Sequence, residues 1–325
     1  MLKFYRHSYP QQHLSILLLA IILWLPSLLT QTPLIYGDAT SPLFNLFINI
    51  FDFSPLLTKL IALIILIFSA FLFNSVVVAN RLLTKYKSLT SLCFVYMMSC
   101  MPELTTAYPF LFACPFIIMI MHVLFLVYQI DRPESYMMCV GYLTAIASMF
   151  YFPSIFLILW ILVSFFIMQH YKLRFLLTPI MGMLSVYIIV FGITFLFGDF
   201  DKMLNSYLSF FQNFELDLNL SYVNKLFLIF FGALFIISFT MSLTNKTSDR
   251  ANNVKKKIGI IVVLTLFSCF FLFISDSSIY NSLIFMIFSL FYAMFFSEIK
   301  KTAMANIIIV ISILSILFLN YSILF

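Results

Sequence analysis

Charge is what this sequence lacks most. Asp, Glu, Lys and Arg supply 9% of its 325 residues while 63% are hydrophobic, against a charged share of about 25% in soluble domains. That shortage excludes a water-soluble protein. Glycine is scarce as well: the chain has seven, and none builds a Walker loop, a Rossmann fingerprint or a G-x-S-x-G elbow. With H-E-x-x-H also missing, soluble-cofactor chemistry has nothing to rest on. The five cysteines (Cys93, Cys100, Cys114, Cys139, Cys269) all sit inside apolar runs with no C-x-x-C pair. They read as small core hydrophobes rather than as a disulfide or redox framework. The four histidines are dispersed and only His122 falls within a span, so no metal site is expected. A lone His at depth is most simply a hydrogen-bonding link between helices.

What is present is a succession of apolar runs. Broken by charge or proline, they give about eleven candidate spans: 14 to 30, 56 to 79, 89 to 101, 107 to 128, 136 to 152, 154 to 168, 176 to 197, 226 to 243, 258 to 274, 280 to 297 and 303 to 320. A full span needs about 20 residues. The third is shorter and stops at Pro102, and only Phe152-Pro153 separates the fifth from the sixth. Tilted, broken or re-entrant helices buried among neighbours fit these runs best. Lys3 and Arg6 before Leu14–Leu29 imitate a signal peptide, but no small-residue cleavage site follows, so the run is read as a retained first span. The expected fold is an all-α polytopic transmembrane bundle, residues 1–325 forming one integral membrane domain.

The net charge of +6 is an orientation signal. With the amino terminus inside, fifteen of eighteen basic residues fall on the inner side: Lys3, Arg6, Arg81, Lys85, Lys87, Arg132, Lys172, Arg174, Lys246, Arg250, Lys255, Lys256, Lys257, Lys300 and Lys301. Only Lys59, Lys202 and Lys225 remain outside, as the positive-inside rule requires. An odd span count then puts the carboxyl terminus outside. Basic residues scattered among apolar runs form no nucleic-acid face. They are read as topology anchors beside anionic lipid, with the bilayer as the first partner.

Two outer segments have amphipathic spacing. Ser41, Asn45, Asn49 and Asp52 recur along one stripe of the run from 41 to 52, and 202 to 214 sets Met203, Leu204, Tyr207 and Leu208 against Asn205, Ser209 and Gln212. Both are expected to lie in the outer headgroup plane or to pack on the bundle as lids.

No Asp, Glu, Lys or Arg lies mid-span, which argues against a proton-coupled pump. Asn74, Asn80 and Asn306 read as interhelical glue. Carboxylates at the outer ends of spans remain. Asp38 follows the first span in Tyr36-Gly37-Asp38, and Glu103 closes the third in Met101-Pro102-Glu103. Two acids over one cavity can serve as general base and orienting partner, since partial burial raises a carboxyl pKa. They can equally be loop acids that cap helices or face water.

The order of first span, outer acid, Ser-Pro-Leu entry to an interfacial helix, basic inner turn (Asn80-Arg81-Leu82-Leu83) and second outer acid resembles the amino-terminal half of GT-C glycosyltransferases. Tyr36, Asp38, Pro42 and Leu43 can be laid on that family's Tyr-x-Asp and Trp-Asp-x-x-x-Pro-Leu stretch. The run from Gly141 to Pro153 is similar to its short helical hairpin. Ala147-Ser148-Met149-Phe150-Tyr151 before a Trp-containing span also resembles an inner-membrane family of Bacteroidota with an Ala-Ser-Leu-Phe-Tyr signature, a domain of unknown function. The likeness covers about residues 1–200, and 201–325 add an outer helix and four spans.

The resemblance implies a polyprenyl-phosphate-linked sugar as donor, used at the outer leaflet of a bacterial inner membrane in envelope assembly. It makes Asp38 the general base and Glu103 the acid that orients substrate or a divalent cation, with no other cofactor. Lys202 and Lys225 would balance the departing phosphate, and Tyr36 would contact substrate. GT-C enzymes commonly hold the phosphate on an outer basic residue and carry a large soluble outer domain; this chain offers three outer lysines and no such domain. Two other readings stand beside this one: a non-enzymatic scaffold for other envelope membrane proteins, and a transporter of lipid or small molecules.

Overall fold

The computed structural model describes residues 4–6, 10–30, 41–51, 54–83, 86–128, 130, 132–169, 172–198, 200–212, 229, 232, 236, 252–271, 282–299 and 302–321. Among them every regular element is helical. The helices are α1 (Pro10–Leu29), α2 (Pro42–Phe51), α3 (Pro55–Ala79), α4 (Leu89–Met98), α5 (Pro109–Val127), α6 (Glu134–Phe150), α7 (Leu157–Ile167), α8 (Leu173–Phe197), α9 (Phe200–Gln212), α10 (Asn252–Phe271), α11 (Ser282–Glu298) and α12 (Thr302–Tyr321). Short 3₁₀ turns fill Phe4–Arg6, Pro102–Thr105 and Phe152–Phe156. Proline opens α1, α2, α3 and α5, a position where its missing N–H has no partner to lose and its φ already suits a helix.

Among the described residues five helices are long and apolar enough to cross a bilayer: Pro10–Leu29, Pro55–Ala79, Pro109–Val127, Leu173–Phe197 and the segment Ala303–Tyr321. α8 has the surface expected of a helix surrounded by lipid. Only Phe175, Pro179 and Gly182 of its 25 residues are buried, while Ile188, Leu196 and Phe197 are at least 70% exposed. A helix apolar all round with one packed edge is stable where its other sides meet hydrocarbon. The shorter runs also fold as helices. α4 has ten residues, all of them buried, about 15 Å of helix against a hydrocarbon core of about 30 Å. It is the broken, enclosed element that its shortness and Pro102 predict. Of the run from 226 to 243 only residues 229, 232 and 236 are described, each of them helical.

Packing follows from residue size and from a few polar contacts. α6 and α8 approach so closely that a Cβ on Gly141 would collide with the Pro179 carbonyl oxygen, and one on Gly182 would lie 2.6 Å from that of Met138. Small residues at a crossing are how apolar helices gain contact in lipid. The Trp24 indole donates to Ser99 Oγ at 3.0 Å, joining α1 to the end of α4. The Trp160 indole donates to the Ile260 carbonyl at 3.0 Å, joining α7 to α10. Pro26 lies inside α1 and cannot donate to the carbonyl of Ile22; the Tyr321 hydroxyl donates to it instead, at 3.3 Å from α12.

These contacts sort the connections onto two ends of the bundle. One end gathers the end of α1, α2, the start of α3, the Pro102–Thr105 turn, the Phe152–Phe156 turn and α9. Phe44 of α2 meets Phe112 at 5.5 Å, Phe112 stacks on Phe150, and Phe152 packs on Tyr207 of α9 at 4.9 Å. The other end holds the Gln12 to Ser88 bond, the Arg174 to Glu134 ion pair at 3.5 Å and the start of α10.

α2 and α9 do dock on the bundle, with apolar residues left over. Phe44 is buried while Leu46 and Ile50 are exposed. Met203 and Tyr207 pack on Tyr187, Val190 and Phe191 while Leu204 and Leu208 face outward. Of the polar stripe on α2, Ser41 is buried and Asn49 exposed, so that stripe does not define the outward face.

Candidate functional site

Glu103 is built by the local sequence. The residue before a proline is pushed into extended conformation, and Met101 has φ −121° and ψ 144°. Pro102 then starts a 3₁₀ turn that carries Glu103 away from α4. The turn is closed by its threonines: Thr105 Oγ1 donates to the Pro102 carbonyl at 2.6 Å and Thr106 Oγ1 to that of Glu103 at 2.9 Å. It is tied to α1 by Ser27 Oγ, which donates to the Thr105 carbonyl at 2.6 Å.

The same Ser27 anchors a cation. Lys59, in the first turns of α3 and 2% exposed, donates from Nζ to the carbonyls of Ser27 at 2.6 Å and Thr30 at 3.0 Å. Those are carbonyls of the last turn of α1 and of the residue that follows it, where no further helical donors are on offer. A positive charge also suits the negative end of the helix dipole. Lys59, Ser27, Thr105 and Glu103 are thus linked through backbone and side chain at one end of the bundle.

Glu103 itself is half-buried between the buried Met101 and Leu104, and among the described residues it has no ion-pair partner. Loss of water pushes its carboxyl pKa above the ordinary carboxylate value. A carboxyl that keeps its proton more readily, at an apolar rim, is suited to exchange one with a bound group.

Of the residues singled out from sequence, Glu103 alone is described with its side chain. Asp38 and Tyr36 lie in 31–40, outside the described residues, as does Lys225. Lys202 lies within α9, its side chain outside the described part. Thr30 and Ser41, which flank the Asp38 segment, both stand at the Glu103 end: Thr30 under Lys59 and Ser41 capping the start of α2 through the Asn45 amide at 3.0 Å.

Lys59 is undervalued by the sequence alone, where it is one cation among three on its side. Its signal there is a basic residue inside an apolar helix four positions after Pro55. At the opposite end Lys257 is buried too, and donates from Nζ to Asn80 Oδ1 at 2.8 Å while Asn80 Nδ2 donates to the Val76 carbonyl. Asn80 is therefore the interhelical glue its position suggests. His122 differs: its Nδ1 is buried with no hydrogen-bond partner among the described residues. Cys93, Cys100 and Cys114 are buried free thiols, as expected for core residues. Among the described residues no group of three His, Cys, Asp or Glu is arranged to hold a metal ion. No known protein family, curated protein or solved structure matches the chain.

Proposed function

We propose that the chain is an eleven-span protein of a bacterial inner membrane, amino terminus in the cytoplasm and carboxyl terminus outside, acting at the outer leaflet as a GT-C-like transferase. Its donor is a sugar on polyprenyl phosphate and its product feeds envelope assembly. The observation that carries the reading is Glu103: a half-buried carboxyl of raised pKa, without an ion-pair partner among the described residues, presented at the bundle end by a proline-started turn. The two-ended arrangement supports the topology. The segments assigned outside from sequence, at 41–51, 102–108, 152–156 and 200–212, meet at the Glu103 end. Lys87, Arg174, Lys256 and Lys257 stand at the other.

In this reading Asp38 removes a proton from an acceptor hydroxyl, and Glu103 orients that acceptor or a divalent cation. Lys202 and Lys225 offset the charge of the departing lipid phosphate. Lys59 contributes differently, its ammonium holding the end of α1 against the Glu103 turn.

The test is genetic and chemical. Asp38→Asn and Glu103→Gln, each expressed at parental level, should reproduce the change in envelope glycan or lipid-linked sugar profile that deletion of the gene produces. If both variants restore the parental profile, catalysis by these acids is lost and a scaffold role takes its place.

A further inference from the structure

A groove of about 610 Å³ opens on the side of the bundle at the end opposite Glu103. Its polar lining is His13 from the first turn of α1, Asn74 and Ser75 from α3, and Lys87 from the turn before α4; Phe71 and Val78 supply apolar wall. The His13 ring stands edge-on to Phe71 at 5.0 Å, which closes the groove on the α1 side.

Three observations specify an occupant. First, α3 has 25 residues, about 37 Å of helix against about 30 Å of hydrocarbon, and Asn74 lies five residues, or about 8 Å, from its end. The groove thus straddles the line between hydrocarbon and headgroups. Second, Asn74 is only 7% exposed, and its buried Oδ1 has no hydrogen-bond partner among the described residues. An amide oxygen left this way destabilises the protein unless something from outside donates to it. Third, Lys87 is exposed at the rim, so the groove presents a cation beside an amide acceptor.

Below the groove the same face of α3 continues as Ile64, Phe68 and Phe71, in register with Ser75 and Val78 at helical spacing. Ile64 is 64% and Phe68 56% exposed. From Phe71 to Ile64 is seven residues, about 11 Å of apolar track below the groove, room for the upper half of an extended acyl chain.

We propose that this groove holds one anionic glycerophospholipid of the cytoplasmic leaflet, with a hydroxylated headgroup such as that of phosphatidylglycerol. The phosphate pairs with Lys87, a headgroup hydroxyl donates to Asn74 Oδ1 once the amide turns toward the groove it lines, and one acyl chain lies along Phe71, Phe68 and Ile64. The leaflet rests on the orientation proposed above. The lipid contact does not, and it is independent of the role of Glu103.

The full-length protein in detergent, delipidated and titrated with phosphatidylglycerol or phosphatidylcholine under native mass spectrometry, tests it. Phosphatidylglycerol should bind at one site with about tenfold preference. Asn74→Leu and Lys87→Glu should each remove that preference, while Lys255→Glu, an equal charge change at the same end but outside the groove, should keep it. An equal loss with Lys255→Glu would mean diffuse charge attraction and overturn the site. Displacement by inorganic phosphate alone, or retained preference in both groove variants, would overturn it as well. Lys87 is exposed, so its variant decides the matter even where Asn74→Leu disturbs folding.

Discussion

The Lys59 ammonium lies 2.6 Å from the Ser27 carbonyl oxygen, and Ser27 in turn reaches the turn that carries Glu103 through Thr105 at 2.6 Å. A cation drawn out of solvent onto helix-end carbonyls is held there by what its loss would leave. Lys59→Met keeps the length of the side chain but strands the carbonyls of Ser27 and Thr30. The expected cost is about 2 kcal/mol, from two charge-assisted bonds exchanged for none. Thermal unfolding in detergent should show a drop of roughly 3 °C or more. An unchanged midpoint would mean these carbonyls find other donors, and Lys59 does not brace the turn.

Glu103 makes a prediction about pH. Its carboxyl pKa is raised in the folded protein by burial, so the folded state binds the proton more tightly than the unfolded chain. Stability therefore falls as pH rises from the ordinary carboxylate value through the raised one, and is level on either side. Glu103→Gln is uncharged throughout and removes that slope. Melting of parent and variant compared between about pH 4 and pH 8 should show the variant gaining on the parent as pH rises. A gap that widens in the opposite direction would require an unseen cation beside the carboxylate.

The contrast between Glu103 and Lys59 shows which parts of the architecture are legible in the sequence. The helices and their two-ended grouping follow from apolar run lengths, prolines and the sides on which Lys and Arg fall, all local or additive signals. Pro102 announces the turn and Glu103 its carboxylate. The fate of Lys59 is not legible, because the carbonyls that capture it come from the carboxyl end of α1 and the residue after it, 32 and 29 positions away. The Tyr321 hydroxyl that serves the carbonyl freed by Pro26 is 299 positions distant. Amphipathic spacing misleads for a different reason: in lipid an outward face is apolar, so Leu46 and Ile50 are exposed and a polar stripe no longer marks the surface.

Trp24 and Ser99 form the contact between α1 and the enclosed α4, 75 positions apart and 3.0 Å between Nε1 and Oγ. Trp24→Phe, Ser99→Ala and the double variant close a cycle that isolates this bond. A coupling of about 0.5–1.5 kcal/mol is expected from equilibrium unfolding. Strictly additive single effects would show that packing alone holds α4 in place.

α8 contains its own control for the claim that glycine permits the α6 crossing. A Cβ at Gly182 would lie 2.6 Å from the Met138 carbonyl oxygen, whereas one at Gly192, ten residues along the same helix, would meet nothing within 4 Å. The obstacle at Gly182 is backbone, which cannot rotate aside as a side chain can. Gly182→Ala should therefore destabilise by about 1–3 kcal/mol. Gly192→Ala should be neutral or stabilise by up to about 1 kcal/mol, because alanine restricts the unfolded chain and favours helix. Both variants, unfolded side by side in detergent, test the crossing directly: equal effects would mean that α6 and α8 do not meet at the distance these glycines imply, since composition and helix are shared and only the neighbour differs.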